Sequence, residues 1–368
     1  MQKRPLKFSN QHQKDFAVAL NKNVNQYFKE NNLSKDANGL MFFKTIFHMI
    51  GWVGSYYLVM FGNFSAPVSY GLWALLGFFF GMVAVNIGHD AIHGAYSTKP
   101  WVNKLLSHTF NLNGASAYMW TKMHNTAHHT YTNVEGYDED IESLPIIRMS
   151  PEKELKGIHK YQHLYAVWFY GLATLSWVLI KDYVKFFKNE VGNFKGEKHP
   201  TKEYFYLFFY KILNYSLFIV VPFLVIDLPW YHILGGFLLM HYVAGFSVAM
   251  IFMLAHVVEE AHFLNPDESG QLERSWTVHQ LYTTVNFATD HWLAAFLTGG
   301  LNSQVEHHLY PNICSVHYPQ ISKIVRKTAK EYGVPYLESS FFGAVASHFR
   351  FLKKMGREKD YQPLPVAA

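Results

Sequence analysis

The chain has 368 residues, half of them hydrophobic and 17% aromatic, with a formal net charge of +5 and one cysteine, Cys314. A single cysteine excludes an intramolecular disulfide and a thiolate metal cluster. The basic residues flank apolar blocks and form no stacking or groove-binding pattern, so the charge does not indicate a nucleic-acid partner.

Residues 1–40 read as a polar, partly helical lead-in lying near a membrane surface, without the short apolar region and cleavage site of a signal peptide. Mean hydropathy over the whole chain is near zero, but the apolar residues are concentrated in blocks. Residues 45–62, 68–88 and 230–255 carry no Asp, Glu, Lys or Arg, and residues 204–226 carry only Lys211. Each block is long enough to cross a hydrocarbon core of roughly 30 Å. They form two pairs, each joined by a short connection. None of the 32 Lys and Arg residues lies in either connection. The positive-inside rule therefore places both termini and the long central segment in the cytoplasm. Residues 161–187 are apolar and aromatic but contain His163, Lys181, Asp182 and Lys185. They read as an amphipathic helix in the interface, because a fifth span would reverse the topology. The acidic stretch 138–142 reads as a solvated loop. The expected architecture is an all-α integral membrane protein. Four transmembrane helices form two hairpins under a cytoplasmic helical cap, in a single domain spanning 1–368 with its core at about 40–335.

Three histidine clusters fall on the predicted cytoplasmic side: HDAIH at 89–93, HNTAHH at 124–129 and QVEHH at 304–308. Imidazole is a common ligand for iron, zinc and copper. Seven histidines (His89, His93, His124, His128, His129, His307 and His308) exceed the four ligands one zinc ion usually takes, so two metal ions fit the count better. On an α-helix residues four apart lie about 40° apart around the axis. His89 and His93 can then converge, as can His124 with His128 and Gln304 with His308. His129 falls about 140° from His124 on the same wheel, so it is expected to point to a different ion from its neighbour, or the helix to fray there. An adjacent His-His pair lets one segment touch both ions. Asp90 and Asn125 are candidates to orient the ligand imidazoles.

These clusters, in this order and placement, resemble the histidine boxes of the membrane fatty acid desaturase family. The likeness covers roughly residues 40–335. The stretch GGLNSQVEHHLYP at 299–311 is similar to the third box of the front-end branch, in which Gln replaces the first His. The resemblance implies a non-haem di-iron centre, dioxygen as co-substrate and a cis double bond inserted into a fatty acyl-CoA or acyl-lipid. It also implies a further ligand at His256 and a supporting role for Gln304. The HPGG haem motif of the fused b-type cytochrome domain is missing, since His199-Pro200 is followed by Thr201. Electrons are therefore expected from a ferredoxin, or from a free b-type cytochrome with its reductase, docking on basic residues such as Lys122, Lys153, Lys323, Arg326 and Lys327. The rival readings are a di-iron hydroxylase, ketolase or alkane oxygenase, and more distantly a membrane metal transporter. A transporter would carry its polar groups within the spans, whereas the clusters here lie past the predicted helix ends.

Overall fold

The computed structural model describes residues 6–9, 13–142, 144–191, 194–196 and 198–361. Helices dominate. The strands are three two-residue pairs, which pin the segments 7–8 to 271–272, 190–191 to 194–195 and 286–287 to 338–339.

Among the described residues three helices are long and apolar enough to cross a membrane, Ala66–Ile92, Thr201–Val225 and Trp230–His256, or four if the bent pair Gly157–Tyr170 and Ala173–Phe187 is one span. The helix Gly39–Phe61 has 23 residues and is started by Asn38, whose side chain accepts the Met41 N–H. It has the length of a span but is less apolar than the other three, because Thr, His, Trp, Tyr and Ser are interspersed among its aliphatic residues. Residues 161–187 do not form one straight helix. Gly157–Tyr170 and Ala173–Phe187 meet at a 68° bend.

The two helical hairpins pack through a core that includes Trp52, Trp73, Leu76, Phe80, Phe218, Phe237 and Met240. Gly77 permits the closest approach, since a Cβ there would lie 2.2 Å from the Met240 carbonyl oxygen. The outer faces keep Phe205, Ile212, Leu224 and Trp230 exposed, as a lipid-facing surface requires.

A second core lies beyond the helix ends. In Lys14–Glu30 the buried residues Phe16, Leu20, Val24 and Phe28 recur every four positions, forming one apolar stripe. That stripe packs on Val278, Leu281, Val305, Leu309, Ile321 and Val325. The lead-in is thus bound to the elements that carry the third histidine cluster.

Local π-helical turns bear directly on the site. Residues 84–88 form one at the end of the first hairpin, where the Asn86 side chain donates to the carbonyls of Met82 and Leu297. Thr121–His128 is another; it continues the short helix Ala117–Trp120, which Ser116 caps by accepting the Met119 N–H. Such i→i+5 turns are rare and concentrate at functional sites.

Candidate metal centre

All eight predicted ligands converge. Ligating atoms of His89, His93, His124 and His307 lie within 4.8 Å of one another, as do those of His128, His256 and His308. His129 joins the first group, its Nε2 lying 3.3 Å from His124 Nε2 and 3.0 Å from His307 Nε2. The Gln304 amide closes the second group, 3.0 Å from His256 Nε2 and 3.4 Å from His308 Nε2. The first group therefore gathers five histidines, and the second three histidines and Gln304.

The helical-wheel expectation for the second cluster is corrected here. In an α-helix His124 and His128 share a face and His129 lies well off it. In the structure the His129 N–H donates to the His124 carbonyl, an i→i+5 bond. That wider turn brings residues five apart together, so His129 faces His124. The His128 ring still stacks on His124 at 5.1 Å, but its Nε2 belongs with His256 and His308. One segment thereby serves both groups.

Four of the outer nitrogens are held by hydrogen bonds, whereas His129 Nδ1 is buried without a partner among the described residues. Asp140 accepts from His124 Nδ1 at 2.7 Å, and Asp138 from His128 Nδ1 at 2.9 Å. His308 Nδ1 donates to Gln280 Oε1 at 2.8 Å, and His256 Nδ1 lies 3.3 Å from the Thr283 carbonyl. With Nδ1 carrying the proton, each Nε2 lone pair points inward. His89 and His124 then oppose their Nε2 atoms at 3.3 Å, while Nε2 of His93 and of His128 is buried without a hydrogen-bond partner. Lone pairs so crowded repel unless a cation lies between them. Nitrogens sharing an ion at about 2.0–2.1 Å would sit about 3 Å apart, which is the spacing observed. The donor set fits metal ions and suits the imidazole preference of iron.

Electrostatics keep most of the rings neutral and ligand-competent. Burial, with the neighbouring imidazoles, drives His93, His129, His307 and His308 well below the ordinary histidine range. Burial lowers His124 to about 4 against the opposing pull of Asp140, whose own carboxyl is held low by His124. Burial also acts on His128, but the Asp138 carboxylate outweighs it and the net shift is upward.

The acidic stretch is not a solvated loop. The Asp138 side chain is fully buried and that of Asp140 is 7% exposed, and Lys185 neutralises Glu139 and Glu142 beside them. Its run of acids, with Asp138 ten residues after His128 and Asp140 sixteen after His124, was the available signal. Conversely, Asp90 and Asn125 do not orient imidazoles. Asp90 lies 3.9 Å from His89 Nδ1 and accepts instead from Ser315 N–H, Ser315 Oγ and Cys314 Sγ. That ties the first cluster to the segment after the third. Asn125 Nδ2 donates to the Ile92 carbonyl. Both side chains satisfy backbone and loop groups nearer than any ring nitrogen.

A narrow apolar cavity reaches the site at His89, His124 and Gln304. Its walls include Phe80, Phe110, Trp120, Trp177, Ile251 and Phe252.

Residues 65–340 match the family model described as fatty acid desaturase, and the chain belongs to that family. It is an oxidoreductase that desaturates fatty acyl chains. Among its relatives, the sn-1 linoleoyl-lipid 6-desaturase of Synechocystis sp. is 36% identical over 93% of this chain and 96% of its own length. The acyl-lipid (8-3)-desaturase of Physcomitrium patens is 34% identical over 96% of this chain and 74% of its own. The Delta(5) fatty acid desaturase A of Dictyostelium discoideum is 29% identical over 96% of this chain and 78% of its own.

Proposed function

We propose that this enzyme inserts a cis double bond near the carboxyl end of a lipid-esterified acyl chain, at a centre of two iron ions. His89, His93, His124, His129 and His307 hold one ion. His128, His256 and His308 hold the other, with Gln304 in the place of a ninth imidazole. The observation that carries the reading is the apolar cavity ending on the histidines. The names of the relatives support a lipid-borne substrate and a front-end position.

The reaction converts two adjacent methylenes and dioxygen, with two electrons and two protons, into a double bond and two waters. Bound iron would supply dioxygen activation and removal of hydrogen from an unactivated methylene, which side-chain acids and bases cannot perform. The chain supplies placement. Phe80, Ile251 and Phe252 exclude water and hold the acyl chain extended, and Trp120 and Trp177 limit its lateral freedom. Asp138, Asp140 and Gln280 keep the ligand rings in the tautomer that presents Nε2.

The protein crosses the membrane four times in this reading, with both termini and the metal centre cytoplasmic and the bent segment 157–187 in the interface. His89 at the end of one span and His256 at the end of another meet at one centre, which supports placing those ends on one side. Within these residues no haem or nucleotide motif occurs, which supports an external ferredoxin or b-type cytochrome as donor. Lys323, Lys327 and Lys330 are exposed on the helix Tyr318–Glu331, and its Tyr318 hydroxyl lies 3.4 Å from His307 Nδ1. An acidic donor steered there would dock on the helix whose buried Tyr318 touches His307. Arg326 is less available, being paired with Glu338.

Filling the cavity tests the assignment. Ile251→Trp should cut turnover of an 18-carbon acyl-lipid substrate by an order of magnitude or more while iron content stays at wild-type level, with products located by mass spectrometry. Wild-type turnover in that variant would remove the cavity from the reaction.

A further inference from the structure

Lys211 is the only Lys or Arg within the four apolar blocks, ten residues into the candidate span Thr201–Val225. Its side chain is buried rather than directed to the interface. A charge held inside the membrane is costly and implies a function with a specific partner. The partner is Asp182, fully buried, at 2.9 Å. The Lys211 ammonium also faces three main-chain carbonyls: Gly114 at 2.6 Å, Trp177 at 2.9 Å and Val178 at 3.0 Å. Asp182 in turn accepts the Ser116 N–H at 2.7 Å.

These contacts join two segments that both wall the acyl cavity. Asn113 and Ala115 line it from one, and Trp177 from the other. The carbonyls of Trp177 and Val178 lie within the π-helical turn Trp177–Lys181, and Lys211 gives them a donor. From Trp177 the contact runs to the metal centre. Its ring lies 5.0 Å from Trp120, and Trp120 lies 4.7 Å from His124.

We infer that the Lys211–Asp182 pair is a specificity device: by clamping Gly114 and Trp177 it sets the aromatic wall of the cavity, and so which pair of methylenes lies against the metal centre. Lys211 is a positioning residue and touches neither substrate nor metal. The inference rests on the cavity being the acyl site. A loosened wall lets the chain slide by a methylene, and one methylene of fit in an apolar pocket is worth roughly 10–200-fold in discrimination.

The test compares double-bond positions in the products of full-length protein in bilayers, for Lys211→Met/Asp182→Leu and for Trp177→Phe. Exchanging both members of a buried pair for apolar residues is often neutral for folding, whereas Lys211→Met alone strands a carboxylate. Trp177→Phe alters the wall while leaving the clamp intact. Both variants should retain iron and raise the minor positional isomer by roughly tenfold. A wild-type isomer ratio in either variant, even with lower thermal stability, would overturn the inference, because a structural pair changes amount and stability only. If Ile251→Trp has no effect, the cavity assignment fails as well. If that substitution blocks turnover while the isomer ratios stay fixed, the clamp alone is refuted.

Discussion

Asp140 and Asp138 show how much of the proposed metal site lies outside the histidine clusters. Each receives the Nδ1 proton of a ligand imidazole, and Asp138 also accepts the Asn133 N–H, which fixes its own loop. Loss of such a partner typically weakens metal binding by roughly 10–100-fold. Asp140→Asn should therefore lower iron affinity by about that factor, measured by elemental analysis during chelator titration, with membrane insertion unchanged. Asp90→Asn should act differently, loosening Ser315 with a smaller effect on affinity. A second residue-scale prediction concerns pH. His348 is fully buried, its Nδ1 directed at the Val257 carbonyl and its Nε2 at the Tyr170 hydroxyl. Burial lowers it from 6.5 to about 4. The unfolded state therefore binds the proton first, and this contribution is intact above pH 6.5 and lost as pH falls toward 4, by at most about 3 kcal/mol. His348→Gln should flatten acid unfolding across that window, followed by thermal denaturation in detergent.

The π-helical turns are the elements on which the geometry depends. In Thr121–His128 the wider turn brings His124 and His129 together while leaving His128 for the other group. In residues 84–88 the turn precedes His89 and packs against Gly299. Gly299 has φ +69°, and a Cβ there would lie 2.3 Å from the Val85 carbonyl oxygen. Gly299→Ala should combine left-handed strain of about 1–3 kcal/mol with a backbone collision. The expected result is a lower unfolding temperature together with reduced iron occupancy, since the displaced turn carries His89. Preserved occupancy would show that the turn can move without the ligand. Residues 161–187 make the same point about elements, as their composition reads as one helix and the backbone bends by 68° between Gly157–Tyr170 and Ala173–Phe187.

For the whole molecule, the proposed orientation predicts a labelling pattern. The native cysteine, Cys314, is buried, so single cysteines can be introduced with little background. Glu154 is 81% exposed on the central segment and should react only from the cytoplasmic side. Asn63, in the first short connection, should react only from the opposite side. Equal reactivity of both from one side would refute the four-span topology. The same global arrangement explains the role of the N-terminal helix. By packing on Val305 and Leu309 it backs the helix that presents His307 and His308.

The sequence by itself determined the histidines, their grouping into three clusters and the concentration of apolar residues into bilayer-length blocks. These are properties of residue identity and spacing, and they suffice for the family and for a metal-dependent reaction. Gln304 and His256 were also legible, one from its cluster and the other from a family likeness. Only the tertiary structure decided which nitrogens face which neighbours. Spacing converts to angle only when helical pitch is known, and at His124–His129 the backbone adopts π rather than α pitch. It likewise decided that Asp138 and Asp140 turn inward onto His128 and His124, and that Glu139 and Glu142 pair with Lys185, which lies far along the chain. Lys211 stood out in the sequence as an isolated charge. Its meaning came from Asp182 and three carbonyls, whose approach depends on how the helices pack.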